Sequence, residues 1–428
     1  MIFLNFHFKT LGCKVNQYET EGLREAFLRF GHTADSSLEP DVIIINSCTV
    51  TAESDRKTRQ MIHAAKKSHP GAVTVLTGCM AQAFPEESKI TGADIIIGNR
   101  NPNRIIEAVN RYTGERYFEI GEHKINDIFT ALPITDFSER TRAFMKIEDG
   151  CNRRCSYCII PKARGFVRSR SLESIRTEAS SLADNGFCEI VLVGINLSAY
   201  GLGSEYNICD AVETVARVDK IKRIRLGSLE PDHITDQMLK RLSSMEKFCP
   251  QFHLSLQSGS DKTLKRMNRH YTADFYADLV RRIRTVFPDA AITTDIMVGF
   301  AGETEEEFNE SLDFVKKIGF ARSHIFIYSR RPGTPADTFE NQIDNAQKKR
   351  RSDIMACAAK ESERQFLKSQ VGKVFPVLFE TAKGGVLGGY TPNYTRVTVQ
   401  TNKQLTGQIL PVLITDSADT YCIGKIKA

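Results

Sequence analysis

Two sets of cysteines have the type and spacing to do chemistry. In Cys151-Asn-Arg-Arg-Cys155-Ser-Tyr-Cys158, three thiols fall within eight residues. Three thiolates that close together can hold three irons of a [4Fe-4S] cube, leaving the fourth iron open to a small chelating molecule. A structural zinc site would want a fourth ligand, and no further Cys or His stands nearby in sequence. The odd total of 11 cysteines in a long chain argues against a disulfide framework. The second set is dispersed: Cys13, Cys48 and Cys79 lie 35 and 31 positions apart, about one βα unit each. Each follows a predicted strand, and the loops leaving the carboxyl ends of neighbouring parallel strands gather in one crevice. One structural address used three times favours a second three-cysteine cluster site over three buried small side chains. Cys188, Cys209, Cys249, Cys357 and Cys422 share no such register and read as packing residues.

The elements that must position these thiols follow from hydrophobic periodicity. Strands are predicted up to residue 8 and over 41–46, 72–77 and 93–97, with helices over 16–30, 52–68 and 81–89. Alternating strands and helices over residues 1–125 predict a doubly wound parallel sheet. Gly121 and Pro133 mark 115–140 as a linker. Within 137–368, six strands are predicted at 143–147, 189–193, 223–226, 252–256, 291–296 and 324–328. They imply a partial (β/α)6 TIM-like barrel with the 151–158 loop at the carboxyl end of its first strand. Loops after these strands combine glycine with polar groups: Gly194 and Asn196, Ser228, Gln257 and Ser258, Asp295 and Gly299. Gathered at one barrel mouth, they are candidates to line a cofactor. A helix over 345–368 precedes short β-rich runs over 371–428, which predict a small all-β, OB-like barrel.

Composition bounds the partners. The 428 residues suffice for two or three domains, and 41% hydrophobic with 26% charged residues is ordinary for a globular protein. No apolar run approaches the roughly 20 residues of a membrane span. The first residues lack the features of a signal peptide, so a cytoplasmic protein with reduced thiols and no membrane partner is expected. The net charge of +6 equals the excess within 142–170 alone, where eight basic residues face Glu148 and Asp149. Arg164, Arg168 and Arg170 in this run are candidates for RNA contact, as are Tyr390, Tyr394 and Arg396 on one predicted hairpin of the terminal module.

The 151–158 spacing resembles the radical S-adenosylmethionine (SAM) superfamily, whose open iron binds SAM, and the resemblance places Tyr157 by the adenine. Thr10-Leu-Gly-Cys13-Lys-Val-Asn16, Asn46-Ser-Cys48-Thr-Val50, Thr77-Gly-Cys79 and the 151–165 stretch together resemble the methylthiotransferase family over nearly the whole chain. The resemblance implies an N-terminal domain with an auxiliary [4Fe-4S] cluster on Cys13, Cys48 and Cys79. It also implies a radical SAM core with a second [4Fe-4S] cluster on Cys151, Cys155 and Cys158, and a terminal TRAM-like module that binds RNA. Leu11-Gly-Cys13-Lys-Val-Asn-Gln-Tyr-Glu-Thr-Glu21 is most similar to the branch acting on N6-threonylcarbamoyladenosine (t6A) at position 37 of the tRNA anticodon loop.

In that branch one SAM supplies a methyl group and another a 5'-deoxyadenosyl radical, which opens C2 of the adenine to a methylthio group. An electron donor such as flavodoxin or ferredoxin is implied. The carboxylate of t6A calls for a cation, with Lys14, Arg164 and Arg168 all open, and Asn16, Asn46 and Thr49 either orient the auxiliary ligands or serve as caps and turns. The alternatives are methylthiolation of isopentenyladenosine 37 or of a ribosomal-protein aspartate, and a non-catalytic iron-sulfur protein that binds RNA or passes electrons.

Overall fold

A computed structural model describes residues 3–137 and 141–427. The first sheet is wholly parallel and runs in sequential order: β1 (Phe6–Thr10), β2 (Val42–Ser47), β3 (Val73–Gly78), β4 (Ile95–Ile97) and β5 (Tyr117–Glu119). Its helices are α1 (Lys14–Arg29), α2 (Ala52–Ser68), α3 (Cys79–Ala83), α4 (Pro85–Lys89) and α5 (Asn103–Asn110). Alternate residues of β2 enter opposite cores. Ile44 packs with Phe27 and Ile105, whereas Ile43 and Ile45 pack with Ile62 and Ala65. Burial on both faces explains why the strand reads as an unbroken apolar run.

Two expectations for this region are corrected. The helix predicted over 81–89 breaks at Phe84, because Pro85 has no N–H to continue it, and α3 begins at Cys79 itself. The predicted linker starts with β5, a three-residue strand too short to show periodicity. The remainder is a strap. Glu25 of α1 accepts backbone N–H bonds from Thr135 at 2.6 Å and Asp136 at 2.8 Å, and Ile134 and Phe137 are buried with Val15 and Tyr18. Positions 138–140 of that linker lie outside the described residues.

The six predicted barrel strands all form. They are β6 (Arg142–Lys146), β9 (Glu189–Val193), β10 (Arg223–Leu226), β12 (Gln251–Leu254), β13 (Ala291–Val298) and β14 (Arg322–Ile327). β7 (Glu148–Asp149) and β8 (Arg168–Ser169) form a short antiparallel ladder at the base of the 151–158 loop, and β11 (Ser228–Leu229) carries the line of β10 onto β12. Among the described residues β6 and β14 share no ladder, so the arc is open between them. α1 covers part of that side through its contact with β6, and its Val15 and Tyr18 join the barrel's own core.

The helix Asn345–Lys368, capped by Asp344, leads to a closed five-strand barrel. Its strands are β15 (Val374–Lys383), β16 (Val386–Tyr390), β17 (Arg396–Gln400), β18 (Ile409–Ser417) and β19 (Cys422–Ile426). Cys422 sits in its core with Phe379 and Val397, and Cys209 and Cys249 are buried in the larger barrel region. Cys357 is exposed and Cys188 half-buried, so the packing reading fails for the first and holds only partly for the second.

Candidate active site

The 151–158 loop is shaped locally. Gly150 has φ +88°, and a Cβ there would meet the Phe166 carbonyl oxygen at 2.0 Å, so only glycine lets the β7–β8 ladder close under the loop. The Cys151 N–H donates to the Gly165 carbonyl at 2.9 Å and the Cys158 N–H to the Cys155 carbonyl at 3.0 Å. Ser156 pins the loop to the next layer, donating from its N–H to Met267 O at 3.0 Å and from its hydroxyl to Arg266 O at 2.8 Å.

N–H groups surround the sulfurs of this loop. The Arg153 N–H and the Asn196 Nδ2 lie 3.4 and 3.7 Å from Cys151 Sγ, and Arg269 Nη1 lies 3.3 Å from Cys155 Sγ. Burial first, and the neighbouring thiols after it, push Cys151 up to about 11 and Cys158 up to about 12. Bare Cys151 and Cys158 therefore keep their protons at neutral pH, and a metal group must displace them. Donors aimed at sulfur suit anionic, metal-bound thiolates, whose ligand environment they tune. By this donor chemistry the loop fits an iron-sulfur cluster.

The second triad is gathered by the sheet. β1, β2 and β3 are adjacent and in register, with Thr10 opposite Asn46 and Asn46 opposite Thr77, so Cys13, Cys48 and Cys79 leave neighbouring carboxyl ends. Gly12, at φ +122°, brings its turn within 3.1 Å of the Cys48 Cβ as measured from an added Cβ. Asn16 Nδ2 donates to Asn46 Oδ1 at 3.1 Å and to Ser47 O at 3.2 Å, and Asn46 Nδ2 returns a bond to Asn16 O at 3.0 Å. These two amides lock the loops that present Cys13 and Cys48. Thr49 donates to Asp55 Oδ1 at 2.6 Å and accepts from Arg331 Nη2 at 2.8 Å, which ties the Cys48 loop to the segment after β14. Burial raises Cys48, and raises Cys79 to about 12 despite the Arg164 guanidinium beside it.

The two triads meet through the helix Ile160–Arg164, which directly follows the 151–158 loop. Ile159 and Ala163 pack against Cys79, Ala83 and Phe84 of the other domain. Arg164 Nε lies 3.2 Å from Cys79 Sγ, and the rest of its guanidinium pairs with Glu19, at 3.0 Å from Nη2 to Oε2. Lys146 completes this buried network, 2.7 Å from both Glu19 and Asp149.

Two cavities open beside the triads. One of about 200 Å³ is lined by Tyr157, Cys158, Gln257 and Asp295 on one side and by Val50 and Thr51, just past Cys48, on the other. A second of about 310 Å³ is lined by Cys13 and Lys14, by Gly194 and Ser228, and by His253, His324 and Tyr394. The His253–Asp295 pair, 3.3 Å apart, stands between them.

The other sequence candidates divide. Asn196 reaches the Cys151 sulfur instead of either cavity wall. Ser258 is fully buried and caps its own loop by accepting from the Ser260 N–H, so it lines neither cavity. Gly299 is also corrected: its N–H donates to Glu303, and its α-carbon packs on Lys348.

The three candidate arginines of the basic run do not face solvent as the RNA reading requires. Arg164 is fully buried, Arg168 pairs with Asp149 at 3.2 Å and donates to the Arg164 and Phe166 carbonyls, and Arg170 pairs with Glu178 at 2.7 Å. Glu19, the partner of Arg164, lies 145 positions away and Glu178 lies just beyond the run, which is why the run looked uncompensated. Tyr390 and Tyr394 stack at 4.7 Å under Arg142, and Arg225 lies over Tyr394, so these rings join the terminal barrel to the larger one. Arg396 remains exposed. Arg269 and Arg331 were missed, since nothing in local spacing marks a side chain that acts through a distant sulfur or hydroxyl.

Comparison with known proteins bears on the same residues. The radical SAM superfamily pattern matches residues 145–315, and that of the uncharacterized protein family UPF0004 matches residues 5–98. The threonylcarbamoyladenosine tRNA methylthiotransferase MtaB of Bacillus subtilis is 39% identical over 98% of this chain and 95% of its own. The corresponding protein of Thermotoga maritima is 35% identical over 91% and 89%. A tRNA-2-methylthio-N(6)-dimethylallyladenosine synthase of Pelotomaculum thermopropionicum is 32% identical over 97% and 96%. Among solved structures, the radical SAM methyltransferase TsrM of Kitasatospora setae aligns with a TM-score of 0.55 at 14% identity, over 78% of this chain and 74% of its own. That likeness is one of fold.

Proposed function

This chain belongs to the methylthiotransferase family of radical SAM enzymes, and we propose that it converts t6A at position 37 of tRNA to 2-methylthio-t6A. As a member of that family it works on tRNA with SAM and [4Fe-4S] clusters. Cys151, Cys155 and Cys158 would hold one cluster, and Cys13, Cys48 and Cys79 the other. When bound, these groups supply a carbon-centred radical and the sulfur to be inserted.

The observation that carries the reading is the shared cavity. Cys158 and Tyr157 stand on one wall and the residues following Cys48 on the other, while Arg164 from the first loop touches Cys79 of the second triad. A radical source and a sulfur donor must reach the same carbon, so their holders have to open on one space. The protein's own groups then have separable tasks. Tyr157, Gln257 and Asp295 shape the side of the cavity where SAM would lie. Arg269 and Asn196 hold N–H groups on the sulfurs of the first triad, and Arg164 fixes the second triad against it. Tyr394 and His324 close the neighbouring cavity beside Cys13, into which the substituent of the base would extend. A one-electron donor of the flavodoxin or ferredoxin class completes the reaction.

The test is anaerobic reconstitution followed by mass spectrometry of nucleosides from tRNA carrying t6A or dimethylallyladenosine, with a ribosomal-protein arm. Methylthio product on t6A is expected. Product only on another arm, or none with both clusters loaded, overturns the reading.

A further inference from the structure

The threonylcarbamoyl group of t6A ends in a carboxylate, which a dimethylallyl group lacks. Three cations were open as its partner, and the geometry removes two. Arg164 is consumed by Glu19 and Cys79, and Arg168 by Asp149 and two carbonyls. Lys14 differs from both. It lines the 310 Å³ cavity beside Cys13, and its ammonium lies 5.8 Å over the Phe144 ring.

Arg322, at the start of the open edge strand β14, lines the same cavity. Among the described residues neither Lys14 nor Arg322 has an ion-pair partner, and no Asp or Glu is in the lining of this cavity. Glu363 shares the outer cleft with Arg322, a space of about 420 Å³ bordered also by Tyr394 and Arg396, and feels the Arg322 charge without forming an ion pair with it. Arg142 and Arg225, the other cations in this neighbourhood, are already paired with Glu189.

We propose that Lys14 and Arg322 form the cation pair that receives the threonyl carboxylate; this rests on the t6A reading. Two unpaired cations facing one cavity can accept an anion without breaking an existing pair, and burying that anion elsewhere would leave it uncompensated. Lys14 and Arg322 are both exposed to solvent, so an apolar substituent gains nothing from either cation, and the pair favours the acid over a dimethylallyl base. Lys14 follows Cys13 directly, which sets the carboxylate end of the substituent beside the second triad.

The experiment uses the reconstituted full chain and three anticodon stem-loop RNAs, carrying t6A, the t6A carboxamide, or unmodified adenosine at position 37. Wild type is expected to bind the acid about 10- to 100-fold more tightly than the carboxamide. Lys14→Gln should close most of that gap, Lys14→Arg should restore it, and Arg322→Gln should narrow it as well. Affinity for the adenosine RNA and iron content should match wild type in all three variants. Equal binding of acid and carboxamide by wild type, or a gap that survives both glutamine variants, overturns the proposal. Product formation by wild type on t6A RNA is scored separately, so the proposal can fail while the t6A reading stands.

Discussion

The two triads reach similar chemistry by opposite routes. Cys151, Cys155 and Cys158 sit in one loop closed by a two-residue ladder and a glycine, and short-range bonds determine their arrangement. Cys13, Cys48 and Cys79 depend on three strands in register, on the Asn16–Asn46 amide pair and on helices covering both sheet faces. The local triad should therefore survive damage elsewhere in the fold, whereas the gathered one should report on the packing of the whole N-terminal domain. Arg164 is where the two meet: it belongs in sequence to the first loop and touches a sulfur of the second.

The strongest break in the comparison is chemical. Cys155→Ala should abolish formation of 5'-deoxyadenosine, whereas Cys48→Ala should retain it and lose methylthio product to below detection. Chromatography of both products decides this, and identical behaviour of the two variants would refute the division of labour.

Arg164→Met comes next in size. It leaves Glu19 and Asp149 short of a buried partner, and breaking such a pair costs about 3–5 kcal/mol. A lower urea midpoint should appear together with loss of the second triad's iron. Ile45→Ala removes a side chain buried against Ile62 and Leu76, for about 2–5 kcal/mol. Because Ile45 lies one position before Asn46, the gathered cluster should be lost first, with 5'-deoxyadenosine formation persisting at temperatures where methylthio product has vanished.

The smallest effect is on pH dependence. Burial alone would raise the Glu19 and Asp149 carboxyls, but Arg164 and Lys146 outweigh it and hold both below the usual carboxylate range. A depressed folded-state value contributes stability that is complete above the unfolded value of about 4 and is lost as pH falls below it. Thermal midpoints should drop on acidification below about pH 5, and less steeply in Arg164→Met. Parallel slopes for the two proteins would show that the network is not what titrates.

The sequence made much of the frame legible, for reasons that also explain its limits. Buried parallel strands such as β2 and β9 announce themselves as apolar runs, while β10 and β14 show alternation or β-branched content, so β2 and all six barrel strands could be found. The cysteine addresses followed from strand ends. β5 escaped because Tyr117-Phe-Glu119 carries neither a run nor a clean alternation. The arginine run was misread because charge is counted locally while pairing is spatial: Glu19 lies 145 positions from Arg164. Arg269 on Cys155 and Arg331 on Thr49 were invisible for the same reason. Lys14 was visible as a candidate, but only the pairing of its rivals distinguished it.

The proposed function requires a cluster on each triad, and iron stoichiometry tests this most directly. Anaerobically reconstituted wild type should carry about eight irons per chain, and Cys48→Ala and Cys155→Ala about four each, as two [4Fe-4S] clusters require. About four irons in wild type, or an undiminished count in either variant, would contradict the account.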